Sequence, residues 1–296
     1  MKYLNLSFKE IVLFVFAGFL VSTITGCEQK AEQQETQTIR MIYANWSEGV
    51  AMTHLSEEIL KEHLGYEVVT KMTDIESVFE ELSRQEYDVF VDAWLPKTHS
   101  RYMKEYGDEL IDLGVNVEQV RTGLVVPDYM EVQSIADLQA DTIMGISSGA
   151  GVMAATEEAI GKYKLPSVLK VGNEQSMTEA LDDAIKHREP VVVTGWTPHW
   201  INNRYSLKFL DDPQNVYGES EKIHTITRNG FTADHPRAAV FFERFKLTEK
   251  QLGALMDELQ TFPDNEKRAV RNWMDDNEFI INQWIRGLDP ERQKVM

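Results

Sequence analysis

Three tryptophans stand where predicted β-strands end. Trp46 closes the apolar run that begins at Ile39, Trp94 closes Asp88 to Ala93, and Trp196 closes Val191 to Gly195. In open α/β sheets the ligand crevice lies beyond the carboxyl ends of the strands, so indoles arriving there from separate strands converge on one site. Convergent indole faces attract cations. A quaternary ammonium, which cannot donate a hydrogen bond, is recognised mainly by such a cage through cation–π attraction and apolar contact.

Two further stretches offer the complementary chemistry, a place for an anion. In Asp92-Ala93-Trp94-Leu95-Pro96-Lys97-Thr98-His99, Pro96 ends the strand and turns the chain, which returns His99 toward the crevice. A histidine of ordinary pKa there would bind an anion better as pH falls toward and below about 6.5. The second stretch, Gly145-Ile146-Ser147-Ser148-Gly149-Ala150-Gly151-Val152, leads from a strand into a helix. Helix amino termini present unpaired N–H groups and partial positive charge, and a carboxylate fits there. The same turn contains Gly-x-Ser-x-Gly with Ser147 in the position of a hydrolase nucleophile. Asp182 and His199 follow as candidate partners, yet nothing in their spacing selects them, and the chain is read as a binding protein rather than an enzyme. Glu48, Gly49, His199 and Trp200 flank the cage tryptophans and are expected to lie behind the residues that touch a ligand.

The elements that position these residues alternate. A strand ending at Trp46 precedes a helix over about Val50–Leu64 with Met52, Leu55, Ile59 and Leu60 on one face; Tyr66–Thr70 and Asp88–Trp94 are strands, and Ile75–Arg84 is a helix between them. Gly123–Pro127 reads as a strand leaving a sheet, because proline cannot donate to a ladder. A second set follows: strands at Thr142–Ile146, Leu169–Gly172 and Pro190–Thr194 enclose helices at Val152–Tyr163 and Met177–Lys186. Ile223–Thr227 reads as a return strand. Beyond it all is helical: Thr248-Glu249-Lys250-Gln251 is a capping-box pattern, and one long helix is expected from Asn265 to Gly287, with Trp273 and Trp284 in packing roles. This alternation predicts an α/β protein with mainly parallel sheets.

The whole chain sets bounds on the partners. A net charge of −18 over 296 residues, without a basic stripe, argues against nucleic acid. The single cysteine, Cys27, excludes an intrachain disulfide and a multi-cysteine metal site, and no metal or cofactor is expected. Cys27 follows Lys2, Lys9, an apolar run from Ile11 to Val21 and the small residues Ser22-Thr23-Ile24-Thr25-Gly26, the layout of a secretory signal too short to span a membrane. It resembles a bacterial lipobox, which implies a signal peptide over 1–26, acylation (palmitate) of Cys27 and a polar tether over 27–38.

Asn45-Trp46-Ser47-Glu48-Gly49-Val50-Ala51, the Trp94 and Trp196 motifs, Gly123–Pro127 and Ser148-Gly149-Ala150-Gly151-Val152 together resemble the substrate-binding proteins of bacterial ABC importers for glycine betaine and related osmoprotectants. The resemblance implies a type II periplasmic-binding-protein fold: two α/β lobes, 39–126 with 229–296 and 127–228, joined by two crossing segments. It also implies a monomer that captures a small zwitterion and delivers it to a membrane permease. The family's three-tryptophan prism around the trimethylammonium group falls on Trp46, Trp94 and Trp196, and its carboxylate donors on His99 and the backbone of Gly151 and Val152. Glu48 beside the ammonium leaves choline or carnitine as alternatives to glycine betaine, proline betaine and dimethylsulfoniopropionate.

Overall fold

The computed structural model describes residues 37–288. The signal segment, most of the tether and Cys27 lie outside the described residues; Thr38, expected in the tether, begins the first strand. Among the described residues no helix is long and apolar enough to cross a membrane.

The described residues form nine strands: β1 Thr38–Ala44, β2 Glu67–Thr73, β3 Val89–Leu95, β4 Leu110–Pro127, β5 Thr142–Met144, β6 Val168–Lys170, β7 Val193–Thr197, β8 Leu207–Phe209 and β9 Glu221–Arg228. The helices are α1 Ser47–Glu62, α2 Ile75–Ser83, α3 Ser100–Tyr106, α4 Gly151–Tyr163, α5 Glu174–His187 and the short α6 Ile201–Arg204. After β9 come α7 Phe231–Asp234, α8 Pro236–Arg244, α9 Glu249–Thr261, α10 Glu266–Asp276 and α11 Glu278–Trp284.

The two lobes are built alike. In the first the strand order is β2-β1-β3-β9-β4; in the second it is β6-β5-β7-β4-β8. Each begins with three parallel strands linked by helical crossovers, and each then receives antiparallel strands. The sheets are therefore mixed rather than mainly parallel, because β9 inserts between β3 and β4 and because β4 serves both lobes. Residues Leu110–Val120 of β4 pair with β9, and Arg121–Pro127 pair with β7 and β8. Only the Pro127 end of this 18-residue strand is evident in sequence. Its first half carries Gly114 and Gln119 at positive φ and three register shifts against β9, which break the alternation that would betray a strand. From Glu221 onward β9 pairs with β4 in the first sheet.

Hydrophobic periodicity located the core faces. Met52, Leu55, Ile59 and Leu60 of α1 are fully buried, and α9 and α10 pack on that helix. Thr248 caps α9 with the expected box, its side chain accepting from Gln251 N–H. The long final helix is instead two. The Asn277 side chain donates to the Trp273 carbonyl at 2.8 Å and competes with the helical ladder, so α10 stops and α11 starts at Asn277. Trp273 and Trp284 are buried, the former donating to Gln251 O at 3.1 Å and the latter edge-on to Phe245.

Candidate functional site

The site forms where equivalent ends of the two lobes meet. Each lobe's first strand feeds a helix amino terminus, β1 into α1 and β5 into α4. Each third strand carries a tryptophan and leaves through a cis X-Pro bond, Trp94 before Leu95-Pro96 and Trp196 before Thr197-Pro198. Trp94 and Trp196 lie one residue inside their strands, while Trp46 has passed β1 and caps α1.

One cavity is lined by Trp46, Trp94 and Trp196, by His99, and by Ala150, Gly151 and Val152. Glu48, Thr98, Thr122 and Ile146 complete it. The three indoles are buried, at most 8% exposed, so each presents ring surface in a setting where water competes little for a cation.

Buried carboxyls hold two of these indoles. Trp94 Nε1–H donates to Asp92 Oδ1 at 2.9 Å, and Trp196 Nε1–H donates to Glu48 Oε2 at 2.8 Å. Burial pushes the Glu48 carboxyl well above its usual range, and the neighbouring Asp92 and Glu174 reinforce this. Burial likewise raises Asp92, against the Trp94 hydrogen bond and with the help of Glu174. Both acids therefore favour the neutral form, and Glu48 does not bring a full negative charge to the cavity. Gly49, on the turn after Glu48, packs so closely on Asp92 that an added Cβ would lie 2.7 Å from Oδ2.

His99 is fixed by a reciprocal pair. Trp94 N–H donates to its Nδ1 at 2.9 Å, and its own N–H donates to Trp94 O at 3.0 Å. Glu221 of β9 steadies the same turn by accepting from the N–H groups of Lys97 and Thr98, both at 2.8 Å. With Nδ1 an acceptor the ring proton sits on Nε2, which is buried without a partner among the described residues. Burial, aided by Arg101, lowers the His99 pKa to about 3. The expectation of a histidine titrating near 6.5 is thus overturned: packed among Trp46, Phe79, Phe90 and Tyr102, this imidazole is a neutral donor at physiological pH. The α4 terminus meets the same cavity. Its N-cap, Ala150, supplies no side-chain acceptor to the first turn, where helical N–H groups lack intrahelical partners.

The remaining candidates stand outside the cavity. His199 is buried 3.1 Å from Glu174, edge-on to Trp196, and Trp200 lines a neighbouring cleft with Asn45, Ser47 and Glu174. Ser147 is exposed, Asp182 accepts from Tyr205 OH at 2.6 Å, and His199 faces Glu174, so the three form no nucleophilic triad. Asp92, Glu174 and Glu221 are unsignalled in sequence, where an acid reads as solvated surface; only the placement of Asp92 two residues before Trp94, on the same face of a strand, hints at its role.

Residues 37–276 match the family of substrate-binding domains of ABC-type glycine betaine transport systems. The chain belongs to this family. It is 41% identical over 170 residues to the glycine betaine/carnitine transport binding protein GbuC of Listeria monocytogenes serotype 1/2a (strain 10403S). That match spans 56% of this chain and 56% of the listerial protein. Lactococcal OpuAC, solved closed and complexed with glycine betaine, superposes with a TM-score of 0.81 at 36% identity, over 84% of this chain and 100% of that one. The glycine betaine/L-proline-binding protein ProX from Borrelia burgdorferi also scores 0.81, at 30% identity over 88% and 99% of the two chains. The fold is accordingly the two-lobed periplasmic-binding-protein fold, and the family's role is substrate binding for an ABC transporter.

Proposed function

We propose that the cavity captures glycine betaine or a closely related quaternary-ammonium or sulfonium zwitterion and delivers it to a membrane permease. The observation that carries this reading is one buried cavity lined by three indoles and by an unpartnered His99 Nε2–H. Trp46, Trp94 and Trp196 surround the methylated cation; His99 Nε2–H and the N–H groups of Gly151 and Val152 hold the carboxylate. The neutral state favoured for Glu48 supports a ligand that brings its own negative charge over choline, which has none. Carnitine is the second reading, favoured by the name of the listerial relative. Acylated Cys27 tethers a monomeric, extracytoplasmic protein to a bacterial membrane.

Calorimetry of the purified protein against glycine betaine, proline betaine, carnitine, choline and dimethylsulfoniopropionate tests the reading. One betaine per chain should bind. Trp→Ala at each cage position should weaken it roughly 2- to 30-fold, from a cation–π contribution of about 0.5–2 kcal/mol apiece. Undiminished affinity in all three variants would remove the cage, and tight choline binding without betaine would reverse the roles of His99, Gly151 and Val152.

A further inference from the structure

Consecutive residues of the first α1 turn reach from the first lobe into the second. Ser47 N–H donates to Glu174 Oε2 at 2.9 Å, and Ser47 Oγ–H donates to Glu174 Oε1. Glu48 accepts from Trp196 Nε1–H, the bond that seats the third cage wall. Glu174 is the first residue of α5, and its carboxylate is also 3.1 Å from His199 Nε2, the ring that meets Trp196 edge-on at 4.5 Å. The chain of contacts Ser47–Glu174–His199–Trp196 therefore closes on Glu48 and begins beside Trp46. Two walls of the cage, one from each lobe, are tied together through a carboxylate that does not line the cavity. Burial alone would raise the Glu174 carboxyl, but His199 and the Ser47 hydrogen bonds hold it below its ordinary value, so it holds its charge more readily than Glu48 and Asp92, which burial raises. Of the other bonds between the lobes, Asn203 Nδ2–H to Asp257 Oδ2 at 2.8 Å lies on the exposed rim, and the half-buried bonds of Tyr102 OH to Gly149 O and of Lys97 Nζ to Val216 O join no cage tryptophan.

We propose that Glu174 is a positioning residue of the ligand site, gripping Ser47 across the cleft and aligning Trp46 with Trp196 without touching ligand. The proposal rests on the cage reading of the cavity. A residue that acts on the meeting of the lobes changes the fraction of molecules competent to bind, and that fraction scales every ligand's apparent affinity by one factor. A residue that touches ligand discriminates between ligands.

Glu174→Ala, Glu174→Gln and Ser47→Ala, with Asp257→Ala as the rim control, are titrated by calorimetry with glycine betaine and with carnitine. Glu174→Ala should lose at least fivefold for both ligands by the same factor, Glu174→Gln and Ser47→Ala should lose less, and Asp257→Ala should stay within twofold of wild type. Unchanged affinity in Glu174→Ala, or losses that differ more than twofold between the ligands, would overturn the proposal. Should Glu174→Ala fail to fold, Glu174→Gln and Ser47→Ala decide by the same criteria. Failure of the cage reading is recognised separately, as absence of betaine binding by wild type. The grip is then judged without ligand, from energy transfer between dyes on cysteines placed at exposed Glu86 and Glu157 in a Cys27→Ser background. Glu174→Ala should lengthen that distance, and an unchanged distance would overturn the grip.

Discussion

A buried imidazole that keeps its proton on Nε2 across the physiological range is a fixed donor rather than a switch. His99 answers that description, with its pKa lowered to about 3 by burial. Betaine affinity is therefore expected to stay flat from pH 5 to 8, and calorimetry showing a rise below about pH 6.5 would return His99 to the role of a titrating group. The sign for stability is different. In the unfolded chain His99 takes up a proton near its ordinary 6.5, while the folded site refuses it. This histidine's contribution is thus full above about pH 6.5 and is lost as pH falls toward 3. Glu48 works in the other direction. Its folded pKa is raised, so the stability tied to its protonated form is present below the ordinary carboxylate range and is lost as pH rises toward the raised value. Glu48→Gln, which keeps an acceptor for Trp196 Nε1–H, should bind betaine nearly as well as wild type and flatten the decline of melting temperature as pH rises above the ordinary carboxylate range. A wild-type melting profile already flat over that range would contradict the buried neutral acid. The tryptophans and His99 were legible in sequence because their types are scarce and their positions follow apolar runs. The acids behind them were not, since burial is a property of the fold.

Helix α4 shows how two glycines in one element can have opposite meanings. At Gly151 an added Cβ would stand 2.5 Å from the Thr98 carbonyl oxygen and 2.5 Å from its Cγ2, whereas at Gly161 nothing lies within 4 Å. Gly151→Ala should therefore push the helix terminus off the Thr98 turn and lower betaine affinity by about tenfold. Gly161→Ala should leave affinity alone and stabilise the protein by about 0.5–1 kcal/mol, the ordinary helix gain over glycine. Paired calorimetry and thermal melts check both, and equal effects of the two substitutions would refute the close approach at Thr98. Most helices and parallel strands of both lobes were visible in the sequence, because each has one apolar face of regular period. What escaped, besides α3 and the short β8, was the strand that joins them. The first half of β4 mixes Asp112, Asn116, Glu118 and Gln119 with bulges, and it is held by β9 rather than by its own pattern. The break at Asn277 escaped for a related reason, since an asparagine inside a helical run ends it only when its side chain captures a backbone carbonyl.

The first lobe is drawn together by Asp88, which accepts from Arg40 of β1 and Arg228 of β9 at 2.6–3.0 Å and is 1% exposed. Burial opposes its charge, but the two guanidinium hydrogen bonds hold its carboxyl below the usual range. Asp88→Ala removes the buried carboxylate shared by Arg40 and Arg228, leaving Arg228 only the exposed Asp234 at 2.7 Å, and should cost about 3 kcal/mol of folding stability, measured by urea unfolding, while the molecules that remain folded bind betaine as before. A Glu174 variant has the reverse signature, and finding both losses in Asp88→Ala would mean that the site and the sheet are not separable. The placement of β9 has a consequence for how the chain is made. Leu110–Val120 must wait for a partner that begins a hundred residues later, at Glu221, while Arg121–Pro127 finds β7 and β8 sooner. Closing long loops slows pairing. The lobe whose synthesis starts first should therefore be the last to be completed, and a chain interrupted before Glu221 would leave β3 with an open edge on which another molecule can add.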